Sequence, residues 1–259
     1  MIKPASGRRR STGPRLFVAT PLAQGSFTTL DRETSARLIK VLRLEPGVPL
    51  TLFDGCGGEF LARLEDRQGT VQVLNHINTD EPGRLAITLL QGLCTAERMD
   101  WVVQKTTELG VETIVPVVSS HNTARANPRH ATSRLDHLRK VAIAACEQSG
   151  RNLLPHISQP RELAPCLAEL PPHPATTRLL CTPGGEHALG DLPAPQGGLV
   201  LLVGPEGGFS SQEEQLARQH GFLAVGLGPR MLRSETAAIT AVAACQVLWG
   251  DLGGAPPTS

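Results

Sequence analysis

Five consecutive aliphatic residues, Leu199-Val-Leu-Leu-Val203, stand between glycines on either side, and so short an apolar run bounded in this way reads as a buried strand. A strand turns alternate side chains to opposite faces, so one that is apolar at every position must be covered on both. Related texture fills the chain from Leu85 onward. Strand-length runs at 85–93, 113–118, 154–157, 178–182, 199–203 and 222–227 alternate with helical stretches. One helix is marked by Met99, Val102, Val103, Thr106 and Leu109, with Gly110 as its stop; others are expected over 135–148, 162–169, 211–220 and 234–249. Strands alternating with helices predict an α/β fold, a mostly parallel sheet with helices on both faces.

The residues after that run raise a chemical question. Gly204-Pro-Glu-Gly-Gly-Phe-Ser210 is a tight turn into a helix, because Ser210 with Glu213 and Ser211 with Glu214 offer two overlapping capping boxes. Such turns bring backbone N–H groups close to a ligand. A phosphate loop would end in Gly-Lys-Ser/Thr, a dinucleotide site would show G-x-G-x-x-G, and a carboxylate would repel phosphate oxygens. The reading is a ligand of nucleotide-like shape without a polyanionic tail. In open α/β sheets ligands sit outside the carboxyl ends of the strands. Three Gly- and Pro-rich loops fall there: Thr182 to Gly185, Gly204 to Gly208, and Gly226 to Arg230. Each alone reads equally as a tight turn; together at one sheet edge they favour a pocket.

The part before Asn75 is different. A basic arm over residues 1–14 is expected to be disordered. Arg15-Leu-Phe-Val-Ala19 starts a region of short elements, Leu50 to Ala62 reads as a hairpin about an Asp-Gly turn, and Thr70 to Leu74 alternates again. This predicts a small β-rich domain over 15–77, a linker within 78–83, and the α/β domain over 84–252. The first 43 residues hold nine Lys/Arg against two acids, in a chain of 259 residues whose net charge is only +1. That local excess suits a polyanion such as RNA, or else a solubilising tail. No apolar run has the roughly 18 residues of a membrane span, and residues 1–14 lack a signal-peptide apolar core, which leads to an expected cytoplasmic location without a membrane partner. The six cysteines are scattered at 56, 94, 146, 166, 181 and 245, without metal spacing, and read as small buried hydrophobes; no metal site is expected.

Two stretches, Leu202-Val-Gly-Pro-Glu-Gly-Gly208 and Leu227-Gly-Pro-Arg-Met-Leu-Arg-Ser-Glu-Thr-Ala-Ala238, resemble the RsmE-type 16S rRNA uridine-N3 methyltransferases of the SPOUT superfamily. Ile39 to Leu44, Leu52 to Gly55, Gln104 to Gly110 and Ala142 to Arg151 agree in the same order. The resemblance implies a PUA-like β-barrel that helps bind RNA, then a SPOUT-type α/β domain with a trefoil knot. It also implies a homodimer, 16S rRNA within the small ribosomal subunit as substrate, and S-adenosyl-L-methionine as cofactor. The implied cofactor positions are Thr182, Gly204, Glu206, Gly207, Gly208, Leu227, Gly228, Leu232, Ser234 and Ala237. Arg233 and, second, Arg230 are the cations expected to stabilise a uridine anion. Glu235 is either its proton acceptor or an ordinary first-turn acid that complements the helix dipole. Arg15, Lys40, Arg43, Gln148 and Arg151 are the RNA candidates, although Arg151 reads equally as a C-terminal helix cap. Glu206 beside a sulfonium is electrostatically tolerable, whether it touches cofactor or substrate or only organises the turn. The sequence departs from the family at His121, where arginine is common, and in the Arg-rich arm. A nicotinamide enzyme is disfavoured by the missing motifs; a non-catalytic RNA-binding relative is the other alternative.

Overall fold

A computed structural model describes residues 13–78, 85–121, 128–170 and 176–253, so residues 1–12 of the basic arm and most of the expected linker lie outside the described residues. The chain divides into two compact units, residues 1–81 with 147–153 and residues 82–146 with 154–259. The first of these boundaries falls near residue 80. The return of 147–153 to the first unit has no local sequence signal.

The first unit carries β1 (Arg15–Phe17), β2 (Phe27–Thr29), α1 (Arg32–Ala36) running into a π-helical turn (Arg37–Val41), β3 (Pro49–Phe53), β4 (Glu59–Leu64) and β5 (Thr70–Ile77). Its sheet runs β1-β3-β4-β5-β2, with β1 parallel to β3 and the other pairs antiparallel. The expected hairpin is β3 and β4, turned through Gly55, Gly57 and Gly58 at φ of 85°, 110° and 70°, a region open to glycine without strain. A bulge between Leu61 and Ala62 shifts the β4–β5 register, and the sheet curls over Leu16, Leu38, Leu50, Leu52, Leu64 and Val71 as a PUA-like half-barrel. The sequence reading missed α1 and the π-helical turn, whose five residues each are too short to show a period.

The second unit is the α/β domain. Its elements are β6 (Ile87–Gly92), α2 (Ala96–Glu108), β7 (Thr113–Val118), α3 (Pro128–Ser149), β8 (His156–Ile157), β9 (Arg161–Glu162), α4 (Leu163–Ala168), β10 (Thr177–Cys181), β11 (His187–Ala188), β12 (Leu199–Val203), α5 (Ser211–Gln219), β13 (Leu223–Gly226) and α6 (Ser234–Trp249). The sheet order is β11-β13-β10-β12-β6-β7-β8, with β9 also beside β7, and every pair is parallel. In β12, Leu199, Leu201 and Val203 enter the core shared with α2, α3 and α6, while Val200 and Leu202 enter the one shared with α4 and α5. All five are buried, as a strand covered on both faces requires. At about 1.5–3 kcal/mol for each fully buried aliphatic side chain, this strand and its neighbours supply a large part of the driving force. No described helix is long and apolar enough to cross a membrane.

Of the two capping boxes in the sequence, the structure forms the first. Ser210 is the N-cap of α5 and accepts from the Glu213 N–H at 3.3 Å, and Glu213 accepts from the Ser210 N–H at 2.8 Å. Ser210→Ala is expected to lower stability by about 1 kcal/mol, read as a lower urea midpoint, whereas Ser211→Ala should stay within about 0.5 kcal/mol. Equal effects of the two would contradict this assignment.

Candidate functional site

Adjacent parallel strands β13, β10 and β12 end at Gly226, Cys181 and Val203, so the three Gly-rich loops leave the sheet at one edge. Their backbones approach closely. A Cβ on Gly185 would stand 2.3 Å from the Val225 carbonyl carbon, and one on Gly92, at the end of β6, would stand 2.4 Å from the Pro205 nitrogen. Neither position has room for a side chain. Gly208, at φ 70°, closes the 204–208 turn with its N–H donating to the Pro205 carbonyl at 3.0 Å.

Side chains tie these loops to the helices that follow. The Thr182 hydroxyl donates to Glu214 Oε1 at 2.9 Å. The Ser234 hydroxyl donates to the Gly204 carbonyl at 2.5 Å and accepts from the buried Gln91 amide at 2.9 Å. Glu213 extends its capping role by accepting from the Ser120 N–H at 2.7 Å and the Ser120 hydroxyl at 2.9 Å, which fixes the end of β7 against α5. Burial tends to raise the Glu213 carboxyl, but hydrogen bonds from Ser210 and Ser120 outweigh it and hold the group below its ordinary value. His121 follows at once; a Cβ on Gly207 would stand 3.1 Å from that of His121, so this residue lies beside the turn.

Between the loops lies a cavity of about 520 Å³. All of the sequence-derived cofactor positions line it: Thr182, Gly204, Glu206, Gly207, Gly208, Leu227, Gly228, Leu232, Ser234 and Ala237. Arg230 and Arg233 line it too; Glu235 does not. The walls combine loop backbone, apolar side chains and both signs of charge, and the volume falls within the range of small-molecule sites, roughly 300–1,000 Å³. Glu206, the glutamate among glycines, accepts from the Thr95 N–H at 3.1 Å and pairs with Arg98 at 2.9 Å. Arg98 also lines the cavity and was not expected from the sequence. One signal was present, since a cation in the first turn of a helix opposes the helix dipole and implies an acidic partner nearby.

The first unit holds the RNA candidates. Lys40 lines a shallow groove of about 380 Å³ with Arg32 and Arg67, the last also paired with Glu45 at 2.7 Å. Arg43 is exposed at φ 53°, and Gln148 is exposed at the end of α3. Arg15, also an RNA candidate, is largely enclosed within this unit. Its side chain is 14% exposed, its guanidinium sits 4.4 Å over the Phe53 ring, and it donates to Glu59 at 2.8 Å, to the Arg151 carbonyl at 3.2 Å and to Asn152 Oδ1. A cation so enclosed is held by its partners and serves as an internal anchor. Gly150, at φ 81°, follows the end of α3 just before Arg151.

Residues 81–246 match the family of RNA methyltransferase domains. The ribosomal RNA small subunit methyltransferase E of Buchnera aphidicola subsp. Schizaphis graminum is 31% identical over 244 residues, 92% of this chain and 98% of its own. The chain belongs to the ribosomal RNA small subunit methyltransferase E family. The Synechocystis member is 31% identical over 242 residues, covering 90% of this chain and 77% of its own. Two solved structures are similar across both units of the chain. The Neisseria gonorrhoeae family member bound to S-adenosyl methionine has a TM-score of 0.85 at 39% identity, covering 93% of this chain and 99% of its own. A putative methyltransferase from Legionella pneumophila, also with bound S-adenosyl methionine, reaches 0.87 at 35%, with the same coverage. Among the described residues there is no group of three or more His, Cys, Asp or Glu placed to hold a metal ion.

Cysteine behaves as expected of a buried apolar residue in most positions. Cys94, Cys146, Cys166 and Cys245 are buried, Cys181 is half-buried on the cavity wall, and Cys56 is exposed. Burial, reinforced by Glu206 and Glu235, pushes the Cys94 thiol up to about 12; burial alone does the same for Cys245. Cys56 is therefore expected to react rapidly with a disulfide reagent at pH 8, while Cys94 and Cys245 stay protonated until the chain is unfolded. Mass mapping of the labelled thiols checks this; rapid native labelling of Cys94 would contradict it.

Proposed function

We propose that this protein transfers a methyl group from S-adenosylmethionine to N3 of a uridine in the 16S rRNA of the small ribosomal subunit. The observation that carries the reading is the cavity at the ends of β10, β12 and β13, in a chain 39% identical over 93% of its length to a family member with that cofactor bound. The lining suits such a cofactor. Leu227, Leu232 and Ala237 offer apolar surface for a flat base, the loop backbones offer donors and acceptors, and Glu206 and Glu214 are compatible with a cation.

When bound, the cofactor supplies a methyl group already activated by a positively charged sulfur. The chain's own task is to hold the base in line and to favour loss of its N3 proton. Arg233, on the cavity wall at the start of α6, is placed to stabilise negative charge on the uracil oxygens, and Arg230 is the second such group. Glu235 stands outside the lining, so no proton transfer is assigned to it. On the first unit, Lys40 and Arg43 are assigned to phosphate contact, with Gln148 and Arg151 as further RNA contacts. A homodimer is supported by the second unit's exposed Trp101, Val247 and Leu248, the last two on the apolar helix α6. A ribosomal substrate places the work in the cytoplasm.

The test is transfer of labelled methyl from S-adenosylmethionine to small subunits lacking the modification, followed by nucleoside mapping. One N3-methyluridine in 16S rRNA is expected; cofactor binding with no transfer would favour a non-catalytic relative. Arg233→Ala should retain cofactor affinity and lose about 10²–10³-fold in single-turnover rate. An unchanged rate would remove Arg233 from the chemistry.

Replacing both Lys40 and Arg43 by alanine should weaken RNA binding and flatten the slope of log affinity against log salt by about 1.5. An unaltered slope would mean that neither touches phosphate.

A further inference from the structure

We infer that Arg98 is a positioning residue that holds together the cofactor loop and the starts of two helices, and this rests on reading the cavity as the S-adenosylmethionine site. Arg98 is the third residue of α2, where the helix dipole disfavours a cation. Its guanidinium lies 2.9 Å from Glu206 Oε1, in the Gly-rich turn after β12, and 3.8 Å from Glu235 Oε2, in the first turn of α6. One planar cation thus lies between two carboxylates on different elements. This geometry suits a guanidinium's several donors better than an ammonium.

Each carboxylate depends on it. Glu206 Oε1 also accepts the Thr95 N–H at 3.1 Å, and the Thr95 side chain makes no cap of its own, so Glu206 caps α2 from another part of the chain. In the stretch from Gly204 to Gly208 it is the one residue with a long polar side chain by which the turn can be anchored. Among the described residues Glu235 Oε2, closed off from solvent, has no hydrogen-bond partner, and Arg98 is its counter-charge. Cys94 lies in the field of the same two carboxylates. A buried carboxylate stripped of its cation is strongly destabilising, more so than a site from which both charges are removed. Glu235 is accordingly a partner in this joint and needs no proton-transfer role to account for its place.

The experiment is calorimetric titration of S-adenosylmethionine into the full chain and its variants. Arg98→Met should weaken binding by about tenfold or more while the second variant, Arg98→Met with Glu235→Gln, recovers part of that loss because no carboxylate is stranded. Losses from Arg98→Met and Glu235→Gln that simply add would mean that the two side chains do not act through each other. Binding by Arg98→Met equal to wild type, or purely additive losses in the double variant, would overturn the inference. Should Arg98→Met fail to fold, Arg98→Lys carries the test: it keeps the charge but cannot fork across both carboxylates, so weaker binding is expected and wild-type affinity overturns the proposal. Failure of the wild-type chain to bind the cofactor would instead overturn the cofactor reading itself.

Discussion

Burial of the central parallel strands on both faces is the constraint on which the rest of the second unit depends. Because β12 is apolar at every position, it must be flanked by strands and covered by helices above and below. A parallel neighbour requires a crossover, so β6, β7, β9, β12 and β13 each hand the chain to a helix and all strands point the same way. Every loop leaving a carboxyl end therefore leaves on one side. The site is a consequence of that direction: the loops after β10, β12 and β13 are neighbours because their strands are.

What those loops need next is close approach, and glycine supplies it. Gly92 against Pro205 and Gly185 against Val225 leave no space for a β-carbon, so backbones rather than side chains set the walls between neighbouring loops. The side chains that remain act mainly as ties. Ser234 to Gly204, Thr182 to Glu214, and Ser120 to Glu213 each join a strand end or its loop to another element. A pocket built from backbone and cross-ties is largely formed before a ligand arrives, which limits the ordering cost of binding.

The sequence showed the parts of this arrangement that follow a local rule. Helix α6 runs from Ser234 to Trp249 as expected, β7 and β12 have their expected bounds, and Gly110 and Gly150 stop helices at positive φ. Helix α3 begins earlier than expected, at Pro128, because the apolar period that marks 135–148 does not extend to the helix start. The cavity lining was legible only through the family resemblance, since spacing alone identified Gly-rich loops and not their occupant. The surroundings of Arg15 were not legible, because they are set by Glu59 and Phe53, remote in sequence. The expectation of a trefoil knot likewise entered only with the resemblance, because threading leaves no periodic trace in a sequence.

The glutamate among glycines shows why a local reading can find a position and still leave its role open. From sequence, Glu206 could touch a ligand or organise a turn, and only the chain's path brings the first turn of α2 beside it. There its carboxylate meets a free N–H, a helix dipole of favourable sign and the Arg98 guanidinium at once. A glycine-rich turn gains conformational freedom at the expense of definition, and one charged side chain fixed at a helix start restores definition without filling the space that the glycines keep open. The same logic explains why a carboxylate is tolerable on a cofactor wall: its charge is already shared with a cation and a helix end, so what faces the cavity is a paired group and not a bare anion.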